Sequence, residues 1–149
     1  CLDATEPAAM GDRSRAIACI HAVRPLRSDF SLDDFGAGLS SYAYLKQLPV
    51  DYLKIDGSLV RNIATDVEDF AMVRSIAEVG RTLGKRTVAE FVEDDAILAK
   101  LVELGVDYAQ GYGIGRPAPL DELADTPSSD VTSDVPESGG VFATLAGAS

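Results

Sequence analysis

The chain has 149 residues, of which 46% are hydrophobic and 25% charged, proportions typical of one globular domain. No apolar run approaches the roughly 18 residues that a membrane-spanning helix needs, so we expect no membrane span. The 24 acidic and 13 basic side chains give a formal net charge of -11. Because this charge repels phosphate backbones, binding to a nucleic-acid polymer is not expected, whereas a small phosphate ligand is acceptable if metal ions offset the charge locally.

The ends of the chain carry two further signals. Two cysteines, Cys1 and Cys19, are too few for a disulfide framework, and no signal-peptide pattern is present, so we expect a cytoplasmic location. The first residue is Cys rather than Met, which suggests a fragment of a longer protein. Residues 121–149 hold six acids, no Lys or Arg, and many Ser, Thr, Pro and Gly residues. We predict that 121–149 is an acidic, disordered tail and that 1–120 is the folded domain.

Helical and strand patterns alternate within the predicted domain. Apolar spacing predicts helices over 13–23, over 40–48, after a Thr65-x-x-Glu68 capping box, and from Asp94 to Gly105. Short apolar runs predict strands at 30–32, 52–55, 87–89 and 106–109, with room for a short strand before the first helix. Strands separated by helices form parallel βαβ units, so the sequence indicates an α/β fold with a parallel sheet.

Polar side chains lie at, or just beyond, the end of each predicted strand: Asp33, Asp34, Lys54, Asp56, Glu90, Glu93 and Gln110. Because parallel strands end at the same edge of a sheet, we expect these groups to cluster there. Clustered carboxylates repel one another, and their oxygens favour Mg²⁺ or Mn²⁺ as the neutralising ion. Two adjacent carboxylates can hold a metal pair that activates water and binds a phosphoryl oxygen. The pattern therefore points to a metal-dependent phosphodiesterase.

Each of these residues also has an ordinary structural interpretation. The Asp33-Asp34 doublet has a counterpart in Asp94-Asp95, which we expect only to favour the start of a helix. Lys54 is compatible with a surface lysine, and the tyrosines at 42, 44 and 52 with packing. The coincidence of polar groups after all four strands favours a site over these separate explanations.

Four blocks of sequence resemble the EAL domain family. Residues 33–41, Asp-Asp-Phe-Gly-Ala-Gly-Leu-Ser-Ser, resemble its DDFGxGxSS loop, and residues 45–58 resemble the block that follows. Residues 89–93 resemble its AExVE motif, and residues 107–117 its last strand and exit. The resemblance covers about residues 3–120 and implies a partial TIM-type (β/α) barrel of parallel strands, with the N-terminal strands missing.

The resemblance also implies an activity and partners. It implies hydrolysis of cyclic di-GMP (c-di-GMP) to linear pGpG with Mg²⁺ or Mn²⁺, in bacterial signal transduction. A homodimer, or a fused sensor or diguanylate cyclase domain, would be the associated partner. The loop at 36–41 would couple the site to dimerisation.

The resemblance assigns a role to each matched side chain. Asp33 would bridge the metals, and Asp34 would bind the second one. Lys54 would orient the attacking water, and Glu90 would be the general base or a second-metal ligand. Two further residues would support the site, Glu93 and Gln110.

The chain departs from the family pattern near its start. The Glu-Ala-Leu segment and a later metal-binding Asn are absent from this sequence. Asp3 stands where the family has a metal-binding Glu, and Glu6 matches the glutamate that anchors the DDFG loop. Part of the first metal site is therefore missing, and we expect the isolated chain to be weak or inactive. Two alternatives remain: a degenerate module that binds c-di-GMP or a protein without hydrolysis, and a truncated remnant with no independent fold.

Overall fold

The computed structural model describes residues 1–26, 28–38, 42–116 and 143–145. A short 3-10 turn over Arg24–Leu26 follows the second helix. Within the described residues the helices and strands are, in chain order, β1 (Leu2–Thr5), α1 (Glu6–Gly11), α2 (Arg13–Val23), β2 (Phe30–Phe35), α3 (Tyr42–Leu45), β3 (Tyr52–Ile55), α4 (Gly57–Val60), α5 (Val67–Thr82), β4 (Arg86–Ala89), α6 (Asp95–Leu104), β5 (Tyr108–Ala109) and β6 (Ala143–Thr144).

The strands form one sheet whose spatial order is also the chain order, β1-β2-β3-β4-β5-β6. The first five strands are parallel, and each pairs with the next along the chain. The predicted parallel α/β sheet is confirmed, and β1 is the short strand that the sequence allowed before the first helix. The carboxyl ends of these five strands therefore face the same edge of the sheet.

The last strand, β6, belongs to the predicted tail and runs antiparallel to β5. The amide of Leu145 donates to the carbonyl of Asp107 at 2.8 Å, and its side chain packs against the core. The other residues of the predicted disordered tail, 121–142 and 146–149, lie outside the described residues, so that prediction stays a prediction.

The core lies between the sheet and the helices that cover it. All four residues of β3 are buried, which explains why its sequence is a continuous apolar run interrupted by Lys54 alone. Val73 and Ile76 of α5 and Leu101 of α6 are also buried. Helix α5 packs against β3 and β4, the strand that contains Lys54 and the strand that precedes Glu90.

Two helix boundaries differ from the sequence-based prediction. The first residue before α5 is Asp66, whose side chain accepts from the amides of Glu68 and Asp69 at 2.8 and 3.1 Å. The predicted Thr65 capping box is therefore wrong by one residue, because an aspartate one position later is an equally good acceptor. The helix predicted over 40–48 is present as α3 but ends at Leu45 rather than at Leu48, and residues 39–41 lie outside the described part of the chain. Asp94 and Gly105 bound α6 as predicted.

Candidate active site

Three neighbouring strands bring Asp33, Lys54 and Glu90 together. Lys54 lies in the middle strand, β3, between Asp33 of β2 and Glu90, which follows β4. Its Nζ is 2.9 Å from Asp33 Oδ1 and 2.8 Å from Glu90 Oε1. The three side chains are only 11%, 21% and 14% exposed, so the ion pairs are largely shielded from water. The predicted cluster at the carboxyl ends of the strands is thus present for these residues.

The environment of Lys54 keeps it charged. Burial disfavours the ammonium ion, but hydrogen bonds to Glu90 and Asp33 outweigh burial and raise the pKa of Lys54 to about 12. For Glu90, burial raises the pKa of the carboxyl, assisted by Asp33 and Asp34 and opposed by the Lys54 ammonium. Glu90 is therefore a better proton acceptor than a solvated glutamate.

The carboxylates of Asp33, Asp34 and Glu90 each offer an oxygen within 4.8 Å of the other two. Asp34 has a φ of 58°, the left-handed conformation, and its amide donates to Asp33 Oδ1 at 3.1 Å. Burial, and then the charges of Asp33 and Asp56, raise the pKa of Asp34. Three mutually repelling oxygen ligands fit a hard divalent cation such as Mg²⁺ or Mn²⁺.

The two acidic residues at the start of the chain have different surroundings. Asp3 of β1 accepts a hydrogen bond from Ser31, and its Oδ2 is 4.0 Å from Lys54 Nζ. Its side chain is 52% exposed and lies outside the close group formed by the three other carboxylates. Glu6 is buried and accepts a hydrogen bond of 2.7 Å from the hydroxyl of Tyr44. Asp3 therefore borders the cluster, whereas Glu6 is held by α3.

The two residues expected to support the site also differ. Glu93 is exposed, and the described part of the chain gives its side chain no hydrogen bond or ion pair. Gln110 follows β5, and its Oε1 is buried without a hydrogen-bond partner among the described residues. A buried amide oxygen in that state needs a donor or a cation.

The sequence did not indicate the contacts of Ser31 and Tyr44, whose partners lie 28 and 38 positions away along the chain.

Gly111 allows the segment after Glu90 to approach the end of β5. A Cβ atom at this position would collide with the backbone N and O of Val92. The Val92 amide donates to the Gln110 carbonyl at 3.0 Å, so the two segments cannot separate without losing this bond. We expect Gly111→Ala to lower the free energy of unfolding by about 2–3 kcal/mol, as overpacking does.

Urea unfolding followed by circular dichroism measures this effect. Gly11→Ala is the matched control, because a Cβ at Gly11 meets no atom within 4 Å. Equal stability of the Gly111→Ala and Gly11→Ala proteins would show that the collision is relieved without cost.

Parallel strands joined by helices, with polar side chains at their carboxyl ends, are the arrangement of (β/α)-barrel domains. The EAL domain family model matches residues 1–117. The chain therefore belongs to the EAL domain family.

No helix among the described residues is long and apolar enough to cross a membrane.

Similar proteins include bacterial phosphodiesterases of c-di-GMP. The chain is 50% identical over 120 residues to cyclic di-GMP phosphodiesterase PdeB of Shewanella oneidensis, covering 80% of this chain and 14% of that protein. It is 40% identical over 122 residues to the bifunctional diguanylate cyclase/cyclic di-GMP phosphodiesterase MucR of Pseudomonas aeruginosa, covering 82% of this chain and 18% of that protein. The chain thus spans less than a fifth of these relatives.

A solved structure confirms the fold. The PaMucR phosphodiesterase in complex with c-di-GMP superposes with a TM-score of 0.76 at 40% identity. The match covers 82% of this chain and 49% of the solved chain. The predicted partial TIM-type barrel is therefore confirmed.

Proposed function

We propose that this chain is the C-terminal portion of a metal-dependent phosphodiesterase domain that hydrolyses c-di-GMP to linear pGpG. The observation that carries the proposal is the convergence of Asp33, Lys54 and Glu90, with contacts of 2.8–2.9 Å, at the carboxyl ends of three neighbouring strands. The relatives named above act on c-di-GMP by name. In hydrolysis, the oxygen of water bonds to one phosphorus and loses a proton, the bond from that phosphorus to a ribose 3′ oxygen breaks, and the ring opens as the 3′ oxygen takes up a proton and becomes a hydroxyl.

The proposed roles follow from the donors present. Asp33 and Asp34 would hold Mg²⁺ or Mn²⁺, Asp33 as the ligand proposed to serve both ions, with Asp3 at the border of the site. The ion supplies charge neutralisation and makes water more acidic. Lys54 stays protonated and holds a water molecule in position through the one hydrogen not used by its two carboxylate partners, Asp33 and Glu90. Glu90 accepts the proton of that water or serves as a second-metal ligand, as its raised pKa allows.

The remaining assignments place supporting groups around this centre. Gln110 offers a buried amide oxygen to the site. Glu93 and Glu6 support the segments that carry Glu90 and Asp34. We assign 1–120 to the truncated EAL domain and 121–149 to an acidic extension.

One observation favours a second candidate, a module that binds c-di-GMP without hydrolysing it. Asp3 stands half exposed, and Ser31 already donates a hydrogen bond to it. The side chain of Asp3 is shorter than a glutamate and already accepts a hydrogen bond from Ser31. It would therefore bind a metal ion only weakly. We therefore expect the isolated chain to bind better than it hydrolyses, and a longer protein with further strands to be the active form.

The proposed cellular setting is bacterial signalling in the cytoplasm. The MucR relative is bifunctional, which supports a fused cyclase or sensor domain as the partner of this one. A homodimer is the other proposed arrangement. Net charge makes association with nucleic-acid polymers unfavourable.

A thermal melt of the purified chain tests the proposal, with and without c-di-GMP and Mn²⁺. A ligand that binds only the folded state at 100 times its Kd stabilises that state by about 2.7 kcal/mol, so the melting temperature should rise by several degrees. Chromatography of the same mixture separates c-di-GMP from pGpG. A shift with product supports the enzyme, and a shift without product supports the binding module. A cooperative melt without any shift contradicts both functions, and no cooperative melt indicates a remnant without its own fold.

A further inference from the structure

The outer edge of β5 is covered by a segment from the far end of the chain. Strand β6 pairs antiparallel with β5, with Thr144 opposite Tyr108 and Ala143 opposite Ala109. Every other strand pair among the described residues is parallel and joins strands that are separated by a helix. Strand β6 is therefore not a further βα unit of the barrel but an addition to the edge of its sheet.

The backbone of β5 requires a partner on this edge. On the opposite edge, which faces β4, the amide of Gln110 donates to the carbonyl of Ala89 at 2.8 Å. Successive residues of a strand direct their backbone groups to opposite sides, so the amide and carbonyl of Ala109 face β6. Ala109 is fully buried, and a buried backbone group without a hydrogen bond destabilises the fold. If β6 left, another strand or water would have to replace it.

Leu145 attaches the added strand in two ways. Its amide donates to the carbonyl of Asp107 at 2.8 Å, and its side chain packs against the hydrophobic core. Asp107 lies two positions before Ala109, so its carbonyl belongs to the same edge of β5. The attachment is short, because β6 itself has only two residues. A segment with so few contacts opens at a much lower free energy than the core strands do.

The sequence around β6 is suited to strand addition. Residues 141–146, Val-Phe-Ala-Thr-Leu-Ala, carry no charge, and all six acidic side chains of the tail precede them. Two glycines, at 139 and 140, stand before this run, and Gly147 follows it. Short uncharged segments with β-branched and aromatic residues pair readily with sheet edges. Residues 143–145 thus belong to the part of the tail that is best suited to pair with a strand.

We propose that residues 143–145 are a detachable strap on the outer edge of β5, and that the vacated edge accepts the 141–146 run of a second copy of this chain in the same antiparallel way. Main-chain hydrogen bonds to Asp107 and Ala109 supply the affinity, and an apolar side chain in the place of Leu145 supplies the selectivity. While the strap is in place, the edge is closed to other strands. The inference goes beyond the proposed function, because it needs neither a metal ion nor a nucleotide.

Fluorescence anisotropy with a labelled peptide tests the proposal on the full chain. The probe is a synthetic peptide of residues 139–147 with neutral ends. Leu145→Pro removes the amide that donates to Asp107, so this change should vacate the edge. The probe should bind the variant at least about tenfold more tightly than the wild-type chain, because a strand on the same chain competes at an effective concentration of about 1 mM.

Thr144→Pro is the matched control. Because the Leu145 amide faces β5, the Thr144 amide faces away from it. Proline is tolerated in an edge strand where the N–H that it replaces points outward. The control should therefore exclude the probe as the wild-type chain does. A probe that carries the Leu145→Pro change itself should bind none of the three proteins.

Either half of this comparison can overturn the proposal. If a folded Leu145→Pro chain does not bind the probe, the edge does not accept a strand from a second molecule. If the wild-type chain binds the probe as tightly as Leu145→Pro does, the strap does not occupy the edge. Neither result affects the proposed function, whose test is the binding and hydrolysis of c-di-GMP.

Hydrogen exchange on the isotope-labelled wild-type chain gives a second measurement if Leu145→Pro does not fold. The Leu145 amide should exchange at least about 100-fold more slowly than the same amide in the free peptide. An excess of unlabelled peptide should then speed the exchange of the chain's own Leu145 amide, because the two strands compete for one edge. Fast exchange without the peptide, or an unchanged rate in its presence, would overturn the proposal.

Discussion

Replacing Lys54 with methionine is expected to lower the free energy of unfolding by about 3 kcal/mol at neutral pH, because two shielded carboxylates then face each other without their cation. The loss lies at the low end of the range for broken buried ion pairs, since Asp33 and Glu90 keep some exposure to water. Mn²⁺ should restore part of the lost stability, because it supplies the missing positive charge. Urea unfolding with and without Mn²⁺ measures both effects.

Lys100→Met is the matched control for this change. Its ammonium also contacts a carboxylate at 2.8 Å, but the two side chains are 40% and 57% exposed. Exposed pairs contribute less than about 1 kcal/mol, so the control should be nearly as stable as the wild-type chain. Equal losses in the two variants would contradict the shielding of Lys54.

The pH dependence of the Lys54 contribution has a definite sign. The pKa of Lys54 rises from its ordinary 10.5 to about 12 in the folded chain. The contribution is therefore fully present below about pH 10.5 and is lost as the pH rises through about 12. The stability difference between wild type and Lys54→Met should persist from neutral pH to about pH 10.

Asp33→Asn is expected to weaken Mn²⁺ binding by about 100-fold, because it removes one of three clustered charges and a ligand oxygen. Any hydrolysis of c-di-GMP by the chain should fall below detection, since the lost ligand is the proposed bridge between metals. Stability should fall less than in Lys54→Met, because Lys54 keeps its 2.8 Å contact with Glu90. Calorimetry gives the affinity, and chromatography of pGpG gives the activity.

Asp95→Asn is the control for the loss of a charge from an aspartate doublet. Asp95 is exposed in the first turn of α6, and Asp94 supplies the cap to the Ile97 amide at 2.8 Å. Its substitution should leave Mn²⁺ affinity unchanged within twofold. If Asp33→Asn bound Mn²⁺ as tightly as Asp95→Asn, the metal would have to bind elsewhere.

Clear apolar patterns, whether a regular helix face or a continuous strand run, predicted their helices and strands well. The helix over 13–23 and the strand over 52–55 have the predicted bounds, because one has a regular apolar face and the other is buried on both sides. The short helices α1 and α4 were not predicted, since six and four residues carry too little periodicity. Their starts depend on local groups, such as the Asp56 side chain that accepts from the Ser58 amide at 2.8 Å.

The site was predictable to the extent that strand ends determine it. Asp33, Lys54 and Glu90 follow from the parallel order alone, because neighbouring strands place them side by side. The hydrogen bond between Tyr44 and Glu6 could not be predicted from the strand order, because the sequence favours simple packing for a tyrosine at that position. Glu93 lies two residues beyond Phe91, whose φ of 55° turns the chain, and its side chain is exposed rather than clustered.

The agreement between spatial order and chain order has a kinetic consequence. Among the described residues, paired strand residues are only 20 to 36 positions apart in the sequence, and every pair joins consecutive strands. Closing such loops costs little more entropy for the last unit than for the first. The sheet can therefore assemble by successive addition of βα units to a growing edge, as in repeat proteins. A unit joined to the β1 edge would extend this sheet without rearranging the strands already formed.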